Sequence, residues 1–297
     1  MTEVFKGIYC VLLTAFKDDY SFDEERMRGH IDRVIEGGSD GVIPSGSTGQ
    51  FAYLTGSERE KLITVTIDQV NGRVPTFAGT AAPSTAETIR WSKFAEDAGA
   101  SAVMVVNPYY GHHADEALYQ HFKSIAESVD LPVMLYNNTV TSGNDLKPEL
   151  VARLAEVDNI DYIKECVSAR RMQEIRLLCG DKMNLFSGVD DLLFECFTLG
   201  GVGAVSGGAN AFPSQIKRLY ALIWEKKDLE AAREYWYKLL PIALLSEEDS
   251  HWIYNLKEMC DIVGDPMGPR RPPLLPLPRE KKEHLRKVVE SFMAQIA

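Results

Sequence analysis

The chain has 297 residues, 45% of them hydrophobic, and a formal net charge of -11 from 32 Lys plus Arg against 43 Asp plus Glu. That length supports a sizeable core, as two domains or as one large α/β barrel. The acidic balance argues against nucleic-acid binding, which needs a basic face, and no run of 18 apolar residues is present to span a membrane. The five cysteines are scattered, odd in number and without a C-x-x-C pair, which suits a reduced, cytoplasmic protein.

In chain order, the first apolar run is IYCVLLTAF at 8–16. It could pass for a signal-peptide core, but Glu3 precedes it, Asp18-Asp19 follow it, and no small-x-small cleavage site is present. It therefore starts a series of buried strands: 8–13, 41–44, 74–79, 102–106, 132–136, 160–164, 184–187 and 202–205. Segments with helical spacing fall between them, at 23–37, 57–71, 84–98, 115–129, 148–156, 169–179 and 190–199. Ser57 with Glu60 fits a capping box, the Ser84–Glu87 stretch reads the same way, and several helices end in glycine. The strands are continuous apolar runs rather than alternating ones, as expected for parallel strands covered on both faces. Eight β-then-α units predict a (β/α)8 barrel, with a doubly wound sheet as the alternative.

The barrel core is expected over 1–212. Residues 213–297 add the eighth barrel helix and a helical extension, in one structural unit, with helices at 213–225, 228–246, 249–262 and 280–296. The stretch GDPMGPRRPPLLPLPRE between the last two is expected to be an extended connector.

In such a barrel the chemistry sits at the C-terminal strand ends. Strand 2 runs into Pro44-Ser45-Gly46-Ser47-Thr48-Gly49-Gln50, where two hydroxyls and several backbone N–H groups can converge on an anion, although the same residues also make an ordinary turn. Strand 4 runs into Pro108-Tyr109-Tyr110 and then His112-His113, which have no matching ligand spacing elsewhere, so no metal is expected. Strand 5 ends in Tyr136. Strand 6 ends in Lys164. Burial there lowers an amine's pKa and makes it a nucleophile toward carbonyls; the competing readings are a snorkelling lysine or an ion pair with Glu165. Strands 7 and 8 end in Ser187-Gly188 and Ser206-Gly207-Gly208, whose small side chains leave room for a ligand.

Together, G-S-T-G after strand 2, P-Y-Y after strand 4, Y-N after strand 5, I-K-E on strand 6, S-G-x-D-D after strand 7 and a later A-N resemble the dihydrodipicolinate synthase / N-acetylneuraminate lyase family. The resemblance extends over nearly the whole chain. It implies a barrel, usually homotetrameric, acting on pyruvate or another 2-keto acid through a Schiff base, without metal or organic cofactor. By position, Lys164 resembles the imine-forming lysine and Tyr136 the proton-shuttling tyrosine. Ser47 and Thr48, in the Gly46–Gly49 turn, resemble the hydroxyls that hold the substrate carboxylate, with Ser47 also in the proton relay. Tyr110 resembles the tyrosine that reaches a neighbouring subunit's site, and Gly188, Val205 and Ser206 border the lysine.

The pattern also departs from the lysine-biosynthesis synthases. Thr141 stands where their arginine holds the aldehyde partner's carboxylate, Thr139 replaces a proline, and Gln50 replaces a glutamate. These departures, with YNN and NAFP, direct the expectation to a catabolic lyase, such as a hydroxypyrroline-carboxylate deaminase or a lyase of sugar acids or sialic acid. The alternatives are 4-hydroxy-tetrahydrodipicolinate synthase and a non-catalytic keto-acid binder.

Overall fold

Alternating strands and helices organise the computed structural model, which describes residues 4–248 and 252–296. The barrel part runs β1 (Gly7–Val11), α1 (Glu24–Glu36), β2 (Gly41–Ile43), α2 (Gly56–Val70), β3 (Phe77–Gly79), α3 (Thr85–Asp97), β4 (Ala102–Val106) and α4 (Asp115–Ala126). It continues through β5 (Val133–Asn137), α5 (Thr139–Ser142), α6 (Pro148–Leu154), β6 (Ile160–Glu165), α7 (Ala169–Cys179), β7 (Asn184–Ser187), α8 (Leu193–Thr198) and β8 (Gly203–Ser206). Helices α9 (Pro213–Tyr220), α10 (Leu229–Ser246), α11 (Trp252–Ile262) and α12 (Arg279–Ile296) follow.

All strand pairs are parallel, in the order β2-β1-β8-β7-β6-β5-β4-β3. A parallel bridge between Val42 and Thr76 joins the two ends, with Gly79 N–H donating to Pro44 O at 3.0 Å. The result is the expected (β/α)8 barrel. No described helix is long and apolar enough to cross a membrane.

Expected and observed elements agree to within a few residues, with three informative differences. The capping box of α2 is Thr55 with Glu58, not Ser57 with Glu60: Thr55 Oγ1 accepts from Glu58 N–H and Glu58 returns a carboxylate to Thr55 N–H. Both pairs have the same spacing, and the chain selects the pair whose glutamate also meets Arg271 of the C-terminal connector. The short helix α5, capped by Asn138, lies inside what the sequence presents as a loop. The expected start of the 249–262 helix falls partly outside the described residues.

A period of two decides which strand residues face the barrel axis. Tyr9, Phe77, Tyr162 and Phe186 form an aromatic layer, with centroid separations of 4.7 Å for Tyr9–Phe77, 5.6 Å for Tyr9–Phe186 and 6.1 Å for Tyr162–Phe186. All four are nearly or fully buried. This layer plugs the N-terminal half of the barrel. The layer two residues further along each strand is therefore the floor of whatever opens at the C-terminal face.

The C-terminal connector is extended, as expected, but it is anchored. Arg271 donates to Tyr20 O, Tyr53 O and the Glu58 carboxylate. Lys257 Nζ donates to Thr14 O, Met267 O and Pro269 O from a site with no solvent exposure. Both attachments pin the helical extension against the open end of the barrel.

Candidate active site

Above the aromatic layer lies a cavity of about 980 Å³ at the C-terminal face. Val11, Val106, Tyr136, Lys164, Gly188 and Val205 line its base. Val11, Lys164 and Gly188 lie two residues beyond Tyr9, Tyr162 and Phe186, so strand parity alone turns Lys164 inward. The register places Tyr136 directly beside Lys164 and Lys164 beside Phe186.

Lys164 is 4% exposed, and its Nζ sits 3.8 Å from the centroid of the Tyr136 ring. It neither snorkels nor pairs with Glu165. Glu165, one residue on, faces away from the axis, where its carboxylate accepts from Asn137 Nδ2 at 3.0 Å and Val167 N–H at 2.7 Å. Burial pushes the Glu165 carboxyl up to about 7.

The expected lowering of the Lys164 pKa is not what the surroundings produce. Burial pushes it down, but Tyr136, Cys166 and Glu247 favour the ammonium and together push it above the ordinary lysine value. The sequence reading had the desolvation of the amine but not the acidic groups that the fold gathers around it. Burial in turn raises the Cys166 thiol and the Glu247 carboxyl. Imine formation needs the unprotonated amine, and the Tyr136 phenol stands beside it.

Ser47 and Thr48 line the cavity, while Gly46 and Gly49 lie behind them. The glycines are steric necessities. A Cβ on Gly46 would stand 2.5 Å from Val11 Cγ2, and one on Gly49 would stand 2.8 Å from Leu12 O. Thr14 Oγ1 donates to Gly49 O at 2.5 Å and Gln50 N–H to Ser47 O at 3.0 Å, closing the turn. Ser206 is buried behind the wall, where its Oγ accepts from Ala209 N–H at 3.1 Å. Tyr110 is 85% exposed and takes no part in lining the cavity; its neighbour Tyr109 does. His112 Nδ1 meets Gly143 O at 2.8 Å, a loop-closing contact.

Thr141 belongs to the wall, and its Oγ1 is buried without a hydrogen-bond partner. Gln50, 1% exposed, has neither amide atom partnered. Asn138 Nδ2 donates to the Tyr136 hydroxyl at 3.2 Å and fixes the phenol. Among the described residues lining the cavity, Lys164 is the only Lys or Arg, while Asp191 and Glu247 are acidic.

Sequence reasoning missed Glu247, Asp191, Trp252 and Cys166 as cavity residues. Glu247 follows α10, 83 positions after Lys164, and nothing local marks it. Its Oε1 accepts from Asp190 N–H at 2.8 Å, and Asp190 Oδ2 accepts from Gly208 N–H at 2.6 Å. Burial, with Asp191 beside it, pushes Asp190 up to about 6. Cys166 had a signal: it lies two residues beyond Lys164 and so shares its face.

The model of the dihydrodipicolinate synthetase family matches residues 4–292. The 4-hydroxy-tetrahydrodipicolinate synthase of Methanopyrus kandleri is 38% identical over 97% of this chain and 96% of its own. Among solved structures, the chloride-inhibited dihydrodipicolinate synthase of Acinetobacter baumannii, complexed with pyruvate, superposes with a TM-score of 0.93 at 31% identity, covering 98% of this chain and 99% of that one. YagE of Escherichia coli K12, a prophage protein of the dihydrodipicolinic acid synthase family in complex with pyruvate, gives 0.92 at 33% identity with the same coverage.

Proposed function

The chain belongs to the dihydrodipicolinate synthetase family, and from that premise we propose that Lys164 forms a Schiff base with pyruvate or a related 2-keto acid. The protein is a class I lyase of that family. The observation that carries the residue assignment is an amine sealed at the base of a cavity, beside a phenol and beneath the Ser47-Thr48 turn.

The steps follow from those groups. In its neutral form, Nζ of Lys164 attacks the keto carbon. The carbinolamine then loses water to an iminium. The iminium draws electrons from the adjacent C–H or C–C bond, so a proton or an aldehyde departs and an enamine forms; condensation is the reverse of the carbon–carbon cleavage. Tyr136, held by Asn138, carries protons to and from the substrate. Ser47 and Thr48 fix the carboxylate, so the keto carbon meets Nζ in one orientation.

The relatives' names favour condensation, as in 4-hydroxy-tetrahydrodipicolinate synthase, over the catabolic reading drawn from the sequence departures. A second reading keeps one observation on its side. With Thr141 in the wall and no Arg among the described lining residues, a carboxylate on the aldehyde partner has no bidentate clamp. Under this reading the aldehyde is uncharged.

The 85% exposure of Tyr110, next to the cavity-lining Tyr109, supports keeping the homotetramer as part of the proposal. Two assays test the function. Borohydride with pyruvate should leave a reduced adduct on Lys164, and its absence with every 2-keto acid tried would sink the Schiff-base assignment. Turnover of pyruvate with aspartate semialdehyde, compared with neutral hydroxyaldehydes, then separates the two readings.

A further inference from the structure

Arg59, in the first turn of α2, is 5% exposed, yet among the described residues no carboxylate lies within ion-pair distance of it. Its Nε donates to Ser45 Oγ at 2.7 Å and its Nη2 to Gly79 O at 2.8 Å. Its guanidinium carbon lies 4.4 Å from the Trp91 ring centroid and 5.1 Å from that of Phe51. The nearby Glu87 is already bonded to Arg90. Burial lowers the Arg59 pKa to about 10, which leaves the group charged at neutral pH. A buried cation without a counter-ion is costly, and cation–π contact offsets only part of that cost.

What Arg59 grips indicates its role. Ser45 sits at φ 61°, in the left-handed region that strains a non-glycine residue. It immediately precedes the Gly46–Gly49 turn. Gly79 packs against the same point: a Cβ there would stand 2.2 Å from Ser45 O. Arg59 thus ties the strained residue and its supporting strand together, at the residue that leads into the Ser47-Thr48 turn.

We propose that Arg59 is the positioning residue of the keto-acid carboxylate seat. It locks Ser45 in its left-handed conformation and supplies positive charge that waits for the substrate's carboxylate. This inference rests on the assignment of Ser47 and Thr48 as that seat.

Borohydride trapping at varied pyruvate concentration, with pyruvamide as the uncharged analogue, tests it. Arg59→Met should raise the half-saturating pyruvate concentration at least tenfold while saturating pyruvate still traps Lys164. The half-saturating pyruvamide concentration should rise at most threefold, from the loosened seat alone. Arg59→Lys, which keeps the charge and loses the two-point grip, should fall between. Unchanged half-saturation by pyruvate in Arg59→Met overturns the proposal, and so does an equal loss for pyruvate and pyruvamide, which marks a purely structural role. Should Arg59→Met not fold, Ser45→Ala removes the acceptor of Nε and should also raise half-saturation by pyruvate; no change there overturns the proposal as well. Failure of the wild type to trap pyruvate would instead sink the Lys164 assignment.

Discussion

Replacing Gly188 by alanine puts one carbon where three atoms already stand. The new Cβ would lie 2.2 Å from Cys166 Sγ, 2.8 Å from Lys164 Cγ and 3.0 Å from Lys164 Cε. Gly188 lies outside the left-handed region, so the contacts and not backbone strain decide the outcome. Cys166 can turn its sulfur away. Lys164 cannot move as freely, because its strand neighbours Tyr136 and Phe186 hold it on both sides. Overpacking of this kind costs about 1–3 kcal/mol. If that cost falls on the geometry Nζ needs, adduct formation slows between about fivefold and about 150-fold. The assay is the rate of pyruvate-dependent borohydride inactivation, read beside the denaturant midpoint. Adding Cys166→Ala relieves the shortest contact, so stability should recover while trapping stays slow. Wild-type trapping and stability in Gly188→Ala would refute the claim that Gly188 exists to leave room for the lysine.

Two further outcomes follow from the site and from the core. Tyr136→Phe should leave the Lys164 imine trappable while lowering turnover about 10²- to 10⁴-fold, the usual worth of a positioned proton carrier; turnover within threefold of wild type would remove Tyr136 from the proton path. His121 is 5% exposed, and burial, helped by His113, lowers its pKa from 6.5 to about 4. Between those values the unfolded chain holds a proton that the folded one does not. The contribution is therefore present above pH 6.5 and lost as pH falls toward 4, by up to about 3 kcal/mol. His121→Leu should flatten the stability profile over that window in denaturant titrations, and a profile as steep as wild type would show that His121 is not responsible.

How much of the site was legible in the sequence depended on where each residue sits along the chain. Tyr162 and Lys164 share a face because a strand repeats every two residues, so a lysine at a strand end announced itself. The Gly46–Gly49 turn was legible because its glycines and hydroxyls are contiguous. Tyr109 could have been preferred to Tyr110 for this chain's own cavity only by knowing the path of the loop. Glu247 reaches the cavity solely because the C-terminal helices fold back over the barrel mouth.

The sequence by itself determined the eight β-then-α units, the inward parity of Lys164 and the small residues around it, because these follow from local periodicity and side-chain volume. Only the tertiary structure decided which groups surround that lysine and push its pKa. Burial alone would lower its pKa, yet Tyr136 from β5 and Glu247 after α10 raise it, and electrostatics depends on distance in space rather than along the chain. The same holds for Arg59. In the sequence it is one more charge in the exposed-looking run Glu58-Arg59-Glu60-Lys61; in the fold it is a buried cation whose nearest partners are a hydroxyl and a carbonyl.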